Sequence, residues 1–197
     1  SGEIGCTTSH LKAIKHWYET SDSPYAIIVE DDLDLQLARF WNFTWSDFVA
    51  KLPYDWDVVQ LAIICTGNLH VQLHKRFVND FSTAAYMITR HHAEKLLKHH
   101  VRGDKYKLDN GVKPRPVADD LIYNSGNTFS IPLFLYKIAL GSSIHPEHID
   151  VFHRGSHDGL LNFWQQSGHD LTIDNLTNYD PYLGRITNPT PPEQKES

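Results

Sequence analysis

Tyr25-Ala26-Ile27-Ile28-Val29-Glu30-Asp31-Asp32-Leu33-Asp34 joins an apolar segment directly to four carboxylates. The first five residues form a continuous run rich in branched side chains, the pattern of a strand buried on both faces of a sheet. In extended backbone alternate residues share a face, so Glu30, Asp32 and Asp34 are expected to point one way and Asp31 the other. Carboxylates packed this closely repel one another, and without compensation one or more takes up a proton. A hard divalent cation such as Mn²⁺ or Mg²⁺ compensates, because it favours oxygen ligands and can be shared with a diphosphate. Open α/β sheets hold their ligands at the carboxyl ends of strands, which is where this run sits. The competing reading is a solvated acidic loop. The buried strand feeding into the run favours the cation.

Upstream, Gly2-Glu3-Ile4-Gly5-Cys6 leads into a helical pattern with Leu11, Ile14 and Tyr18 on one stripe. Thr7, Thr8 or Ser9 is the expected cap, and Ser21-Asp22-Ser23-Pro24 ends the helix. Downstream, residues 44–52 read as a short helix with Thr44 as N-cap and Asp47 in the first turn. Asp57 to Ile64 reads as a second buried strand and Thr83 to Ile88 as a third, followed by a helix near 90–100 with Ala93, Leu96 and Leu97 inward. Arg102 to Pro116 is a long Gly/Pro/Lys loop, and Val117 to Tyr123 a short helix carrying Asp119 and Asp120. Phe129 to Leu135 and Ser143 to Phe152 are weaker strand candidates. Strands alternating with helices predict an α/β fold with a mostly parallel central sheet flanked by helices. Residues 1–186 form the expected domain and 187–197, rich in Pro and polar residues, a disordered tail or linker.

With 197 residues and 41% hydrophobic content, the chain can fill a core. A net charge of -6 and the lack of a Lys/Arg block argue against nucleic acid as a partner. No apolar run of 18 residues occurs, so no transmembrane segment is expected in this chain. Cys6 and Cys65 lie outside any C-x-x-C spacing and cannot build a disulfide framework. With no signal peptide in view, a cytoplasmic location is favoured. An endomembrane lumen is the alternative if the chain belongs to a longer anchored protein. Cys6 reads as a small core residue rather than a nucleophile. Assembly into a homo-oligomer is left open.

Several blocks carry a resemblance. Gly2-Glu3-Ile4-Gly5-Cys6-Thr7-Thr8-Ser9-His10 and Ala26-Ile27-Ile28-Val29-Glu30-Asp31-Asp32 resemble the opening of the family 25 glycosyltransferases, which include bacterial lipooligosaccharide and procollagen galactosyltransferases. Trp56-Asp57-Val58-Val59-Gln60-Leu61 resembles that family's W-D-hydrophobic strand, and Thr83 to Arg90 with Ala93, Lys95, Leu96 and Leu97 its T-A-A-Y unit. Pro116-Val117-Ala118-Asp119-Asp120-Leu121 resembles its P-V-D motif with one residue inserted. The blocks span roughly residues 2–123 in family order. They imply a GT-A fold, a nucleotide-sugar donor, commonly UDP-linked and by default UDP-galactose or UDP-glucose, a Mn²⁺-type cofactor, and inversion at the anomeric carbon. The acceptor class implied is a glycan, a lipid-linked saccharide or a hydroxylysine-containing protein. The strand–helix–strand that family members carry before the G-E-I-G-C block is not in the sequence, so an N-terminally incomplete version, either excised from a longer chain or degenerate, is expected.

The resemblance also implies roles. The last carboxylate of the acidic motif, Asp32, is the main metal ligand. Glu30 is its partner and, with Asp31, is assigned to the nucleotide sugar, although alternation turns Asp31 inward toward a structural role. Asp34 is a further metal candidate from its shared face. Inversion needs a base to take the acceptor proton, for which Asp119 matches the motif and Asp120 lies adjacent; one of the two is expected to cap the helix instead. A late histidine commonly completes the metal set. His153 is favoured, with His145 and His148 competing. The small residues of Arg154-Gly155-Ser156-His157 suit phosphate contacts. Ser9 and His10, expected at a helix N-terminus, are further donor-binding candidates. Two other functions compete: a non-catalytic domain that keeps the fold, and a metal-dependent hydrolase that needs no nucleotide.

Overall fold

Strong local signals form where the sequence places them. The computed structural model describes residues 2–65, 70–108, 117–138 and 153–178. Helix α1 spans Gly2–Thr20 and buries Thr7, His10, Leu11 and Ile14 along one stripe. After it come strand β1 (Tyr25–Val29), the two-residue β2 (Leu33–Asp34), a 3₁₀ turn over Gln36–Phe40, and helix α2 (Trp45–Ala50). Thr44 and Asp47 close a reciprocal capping box at the start of α2, as their spacing predicts. Strands β3 (Val58–Ala62), β4 (Ile64–Cys65), β5 (His74–Lys75), β6 (Asp80–Phe81) and β7 (Ala85–Thr89) follow. Helix α3 (Arg90–His100) starts on Thr89, whose hydroxyl accepts from His92 N–H. The loop predicted from Arg102 opens as a small hairpin, β8 (Val101–Arg102) with β9 (Lys105–Tyr106). Helix α4 (Ala118–Tyr123), strand β10 (Thr128–Tyr136), helix α5 (Arg154–Ser167), a 3₁₀ turn over Gly168–Asp170 and helix α6 (Ile173–Thr177) complete the described elements. The strand predicted over Ser143–Phe152, His145, His148 and the 187–197 tail lie outside the described residues.

The central sheet runs β1-β7-β3-β10-β2, with β5 alongside the first half of β10. It is mixed, which corrects the mostly parallel expectation: only β3 and β10 pair in parallel, while β1–β7, β7–β3, β10–β2 and β10–β5 are antiparallel. Strand β10 is the spine of the sheet and is buried along its whole length. Its ladder to β3 shifts register between Ser130 and Phe134, where Pro132 has no N–H to give. The Pro132 carbonyl accepts instead from the indole of Trp164, buried on α5. Helices cover both faces. Helices α1, α3 and α4 pack Leu11, Ile14, Leu96 and Ile122 against Val58, Tyr86 and Ile88. On the other face, Leu160 and Trp164 of α5 join Phe48, Val59, Met87 and Phe129.

The acidic segment differs from expectation in two ways. Among the described residues β1 pairs only with β7, so it is an edge strand with Ile27 and Val29 41% and 51% exposed rather than a strand buried on both faces. A five-residue apolar run does not reveal which strands flank it, and β7 intervenes between β1 and the interior. The carboxylate run is also not extended. Leu33 N–H bonds the Glu30 carbonyl at 3.3 Å, so Glu30–Leu33 is a turn, and the alternation that set Glu30, Asp32 and Asp34 on one face does not apply. No helix among the described residues is long and apolar enough to cross a membrane.

Candidate functional site

The turn after β1 leads its four carboxylates to different environments. Glu30 is anchored where its N–H bonds the Ala84 carbonyl at 2.9 Å. Its Oε1 accepts from Thr83 Oγ1 at 2.7 Å and meets His10 Nε2 at 3.1 Å. Burial pushes the Glu30 carboxyl up, but the His10 and Thr83 hydrogen bonds outweigh it and hold the group below its usual range. Asp31 is exposed, against the inward position that alternation implies. Asp32 is half-buried, and its Oδ1 is shielded from solvent with no hydrogen-bond partner. Burial, then the charges of Glu30 and Asp31, raise its pKa; a backbone hydrogen bond and the charge of Lys137 pull the other way without offsetting them. Asp34 is different again. Gln36 N–H bonds its Oδ1 at 2.9 Å and the Gln36 side chain its Oδ2 at 2.8 Å, so both oxygens serve the local turn into the 3₁₀ segment.

His10 is not at a helix N-terminus. It lies in the middle of α1, buried, with Nδ1 3.0 Å from the hydroxyl of Tyr86 on β7. Burial disfavours its charged form, yet hydrogen bonds to Cys6 and Glu30 prevail and raise its pKa to about 9. Ser9 is exposed in mid-helix, away from any N-terminal amides, because α1 already starts at Gly2. Thr7, proposed as a cap, instead donates back to the Glu3 carbonyl at 2.9 Å.

Asp119 lies on the first turn of α4 and faces the same end of the sheet. Val117, not an aspartate, occupies the N-cap position and makes no side-chain cap bond. Asp119 Oδ2 receives a long 3.4 Å bond from Ser82 N–H, while Oδ1 is shielded and unpartnered. Burial pushes its carboxyl up to about 6; Arg76 and the Ser82 N–H pull the other way, and the charges of Glu30 and Asp120 add to the rise. Ser82 itself has φ 99°, the left-handed side of backbone space that a serine rarely occupies. Its carbonyl is held by the Gln60 amide at 2.9 Å and the Tyr123 hydroxyl at 2.9 Å, two buried side chains that fix this strained position beside Asp119. Asp120 points to the helix surface and accepts from Asn124 Nδ2 at 3.2 Å.

Arg154 to Gly159 form the start of α5, with His153 at its N-cap position. The Tyr136 hydroxyl donates to the His153 carbonyl at 2.9 Å, and the His153 and His157 rings each lie 5.9 Å from the Tyr136 ring. Tyr136 pairs with Leu33, and Lys137 N–H bonds the Asp32 carbonyl at 2.7 Å, so both histidines border the strand end that carries Asp32. Ser156 Oγ accepts from Cys65 N–H at 3.0 Å and ties α5 to β4. A Cβ at Gly155 would meet nothing within 4 Å, so no close backbone approach explains that glycine. His157 Nδ1 sits 2.9 Å from Asp158.

Among the described residues, one group of His, Cys, Asp and Glu brings its ligand atoms within 4.8 Å of one another: Cys6, His10 and Glu30. Asp32, Asp34 and His153 do not form such a group. The unpartnered oxygen of Asp32 suits a Mn²⁺- or Mg²⁺-type cation, whereas both oxygens of Asp34 are engaged by Gln36. The Cys6–His10 spacing of four was visible in the sequence as one helix face, but Glu30, twenty residues further on, joins it only through the β1–α1 packing. Neither models of known protein families nor curated protein sequences match this chain, so the resemblance to the family 25 glycosyltransferases rests on the quoted motifs.

Proposed function

We propose that this chain is the catalytic core of an inverting glycosyltransferase that moves a hexose from a nucleotide sugar, by default UDP-galactose or UDP-glucose, to a hydroxyl of a glycan, lipid-linked saccharide or hydroxylysine-containing protein. The observation that carries this reading is a pair of buried, unpartnered carboxylate oxygens, Asp32 Oδ1 and Asp119 Oδ1, on the turn after β1 and on α4. Their needs differ. Asp32, crowded by Glu30 and Asp31, suits a cation; Asp119, with a pKa near 6, suits a proton. A carboxylate poised close to neutral pH takes a hydroxyl proton more readily than an ordinary aspartate. In this reading Asp119 accepts the acceptor's proton as the hydroxyl attacks the anomeric carbon. Asp32 holds the divalent cation, which when bound would offset charge on the departing diphosphate. His157, whose ring lies 5.9 Å from that of Tyr136, borders that side. Glu30 orients the turn through His10 and Thr83 rather than touching the donor.

A non-catalytic relative is the second reading, favoured by the commitment of Glu30 and Asp34 to internal bonds. Thermal shift with UDP-sugar and Mn²⁺ separates the two. The enzyme reading expects a rise that needs both ligands, together with Mn²⁺-dependent UDP-sugar hydrolysis that Asp32→Ala abolishes while the protein stays folded. Hydrolysis that survives Asp32→Ala refutes the ligand assignment. No shift with any UDP-sugar refutes donor binding, and metal-dependent hydrolysis of substrates without a nucleotide favours a hydrolase.

A further inference from the structure

The three ligand atoms of Cys6, His10 and Glu30 converge at a point that the donor reading does not use. Cys6 and His10 stand four residues apart on α1, on one face of the helix. Glu30 reaches them from the end of β1, held there by its backbone bond to Ala84. All three ligand atoms lie within 4.8 Å of one another, and His10 Nε2 and Glu30 Oε1 are already 3.1 Å apart. A tetrahedral zinc ion with bonds of about 2.0–2.3 Å sets its ligand atoms roughly 3.3–3.8 Å apart, so a small inward movement of one side chain completes the set.

The surroundings have the form that metal-bound imidazoles require. Nδ1 is 3.0 Å from the Tyr86 hydroxyl, which fixes the ring plane, while Nε2 faces Glu30 at 3.1 Å. Thr83 Oγ1 orients the carboxylate by donating to Glu30 Oε1. A Cys–His–Glu proton relay is a poorer fit. Such a relay divides the two ring nitrogens between nucleophile and acid, whereas here one of them is taken by a tyrosine. The Glu30 side chain keeps 33% exposure, which leaves a water a path to a fourth position.

We infer that Cys6, His10 and Glu30 form a zinc site that pins α1 to the end of β1. A thiolate, an imidazole and a carboxylate together select a borderline-soft ion such as Zn²⁺ over Mn²⁺ or Mg²⁺, which favour oxygen-only sites. The site is separate from the cation assigned to Asp32, and it stands whether or not the chain binds a nucleotide sugar.

Cobalt titration of the full chain under reducing conditions tests it, because a thiolate bound to Co²⁺ gives a near-ultraviolet charge-transfer band. The expected result is a band that saturates at one equivalent, is erased by Zn²⁺ but not by excess Mg²⁺, and is absent in Cys6→Ser and His10→Gln. It persists in Cys65→Ser and in Asp32→Ala. Tyr86→Phe, which removes only the hydroxyl behind the ring, weakens Zn²⁺ binding about 10–100-fold. No band in the wild-type chain, or a band that survives Cys6→Ser, overturns the site. A Tyr86→Phe chain that binds Zn²⁺ as tightly as wild type overturns the ring-orienting role. Circular dichroism of each variant confirms that a lost band is not lost folding.

Discussion

Replacing Asp119 by asparagine is expected to make the protein more stable at neutral pH while removing its proposed catalytic base. The carboxyl of Asp119 is pushed from its ordinary 3.8 to about 6, chiefly by burial. Its folded-state pKa thus lies above the unfolded one. Between about pH 4 and 6 the folded chain keeps a proton that the unfolded chain has released, so this residue's contribution to stability falls across that window and stays low above it. The whole displacement corresponds to about 3 kcal/mol. Partial exposure of the side chain screens it, and about 1–2 kcal/mol is the expected remainder. Asparagine cannot ionise, so urea unfolding of wild type and Asp119→Asn at about pH 5 and about pH 7.5 should diverge. The variant gains about 0.5–1 kcal/mol on the wild type between the two pH values, because at about pH 5 half of the effect is already present. Charges that titrate in both proteins, such as Glu30 and Asp32, cancel in the difference. Removing Arg76, which pulls the Asp119 pKa down, should widen the gap. Parallel stability curves for wild type and variant would refute the claim that Asp119 is held near neutral pKa, and with it the argument for a poised base.

Other substitutions probe the scaffold. Arg90 closes the C-terminal end of α1 by donating to the carbonyls of Tyr18, Ser21 and Ser23 and lies 4.8 Å from the Tyr18 ring centre. Arg90→Lys keeps the charge but loses the fork, and should cost about 1–3 kcal/mol in urea unfolding. A Cβ at Gly126 would fall 2.6 Å from the buried His92 ring and 2.9 Å from the Asp57 carboxylate. Gly126→Ala should therefore cost about 1–3 kcal/mol, read as a lowered melting temperature. Asp34→Ala should loosen the turn that Gln36 closes yet leave Mn²⁺-dependent UDP-sugar hydrolysis within a few-fold of wild type, in contrast to Asp32→Ala; equal losses in the two would place Asp34 on the cation after all.

What the chain discloses before folding is mostly local. The capping box at Thr44, the helix after Thr89 and the strands around Val58 and Tyr86 follow from periodicity and end signals within a few residues. Pairing is not local. Nothing in Tyr25–Val29 tells that β7 lies on one side of it and no described strand on the other, so an apolar run was compatible with a buried parallel strand as well as with an edge. The run Glu30–Asp34 misleads for a related reason: one hydrogen bond from Leu33 to Glu30 turns the chain and dissolves the alternation. The start of α1 shows a third limit. Thr7 to Ser9 are good caps in isolation, but helical geometry extends back to Gly2 and converts them into interior positions. Asp119 and Asp32 were legible as residue types at a strand's end and a helix's first turn. Their unpartnered oxygens are properties of the packing, and so is the meeting of Cys6, His10 and Glu30.

The free margin of β1 has a further meaning. Tyr25–Val29 leaves one row of backbone amides and carbonyls unmatched among the described residues, beside two exposed branched side chains, the kind of border along which sheets of neighbouring molecules stack and aggregate. Pro24 stands at one end of that border and Glu30-Asp31-Asp32 at the other. An incoming strand that ran past Val29 would meet the exposed carboxylate of Asp31. This exposed charge therefore acts as a gatekeeper against self-templated growth, and neutralising it would be felt in solubility before it was felt in the fold.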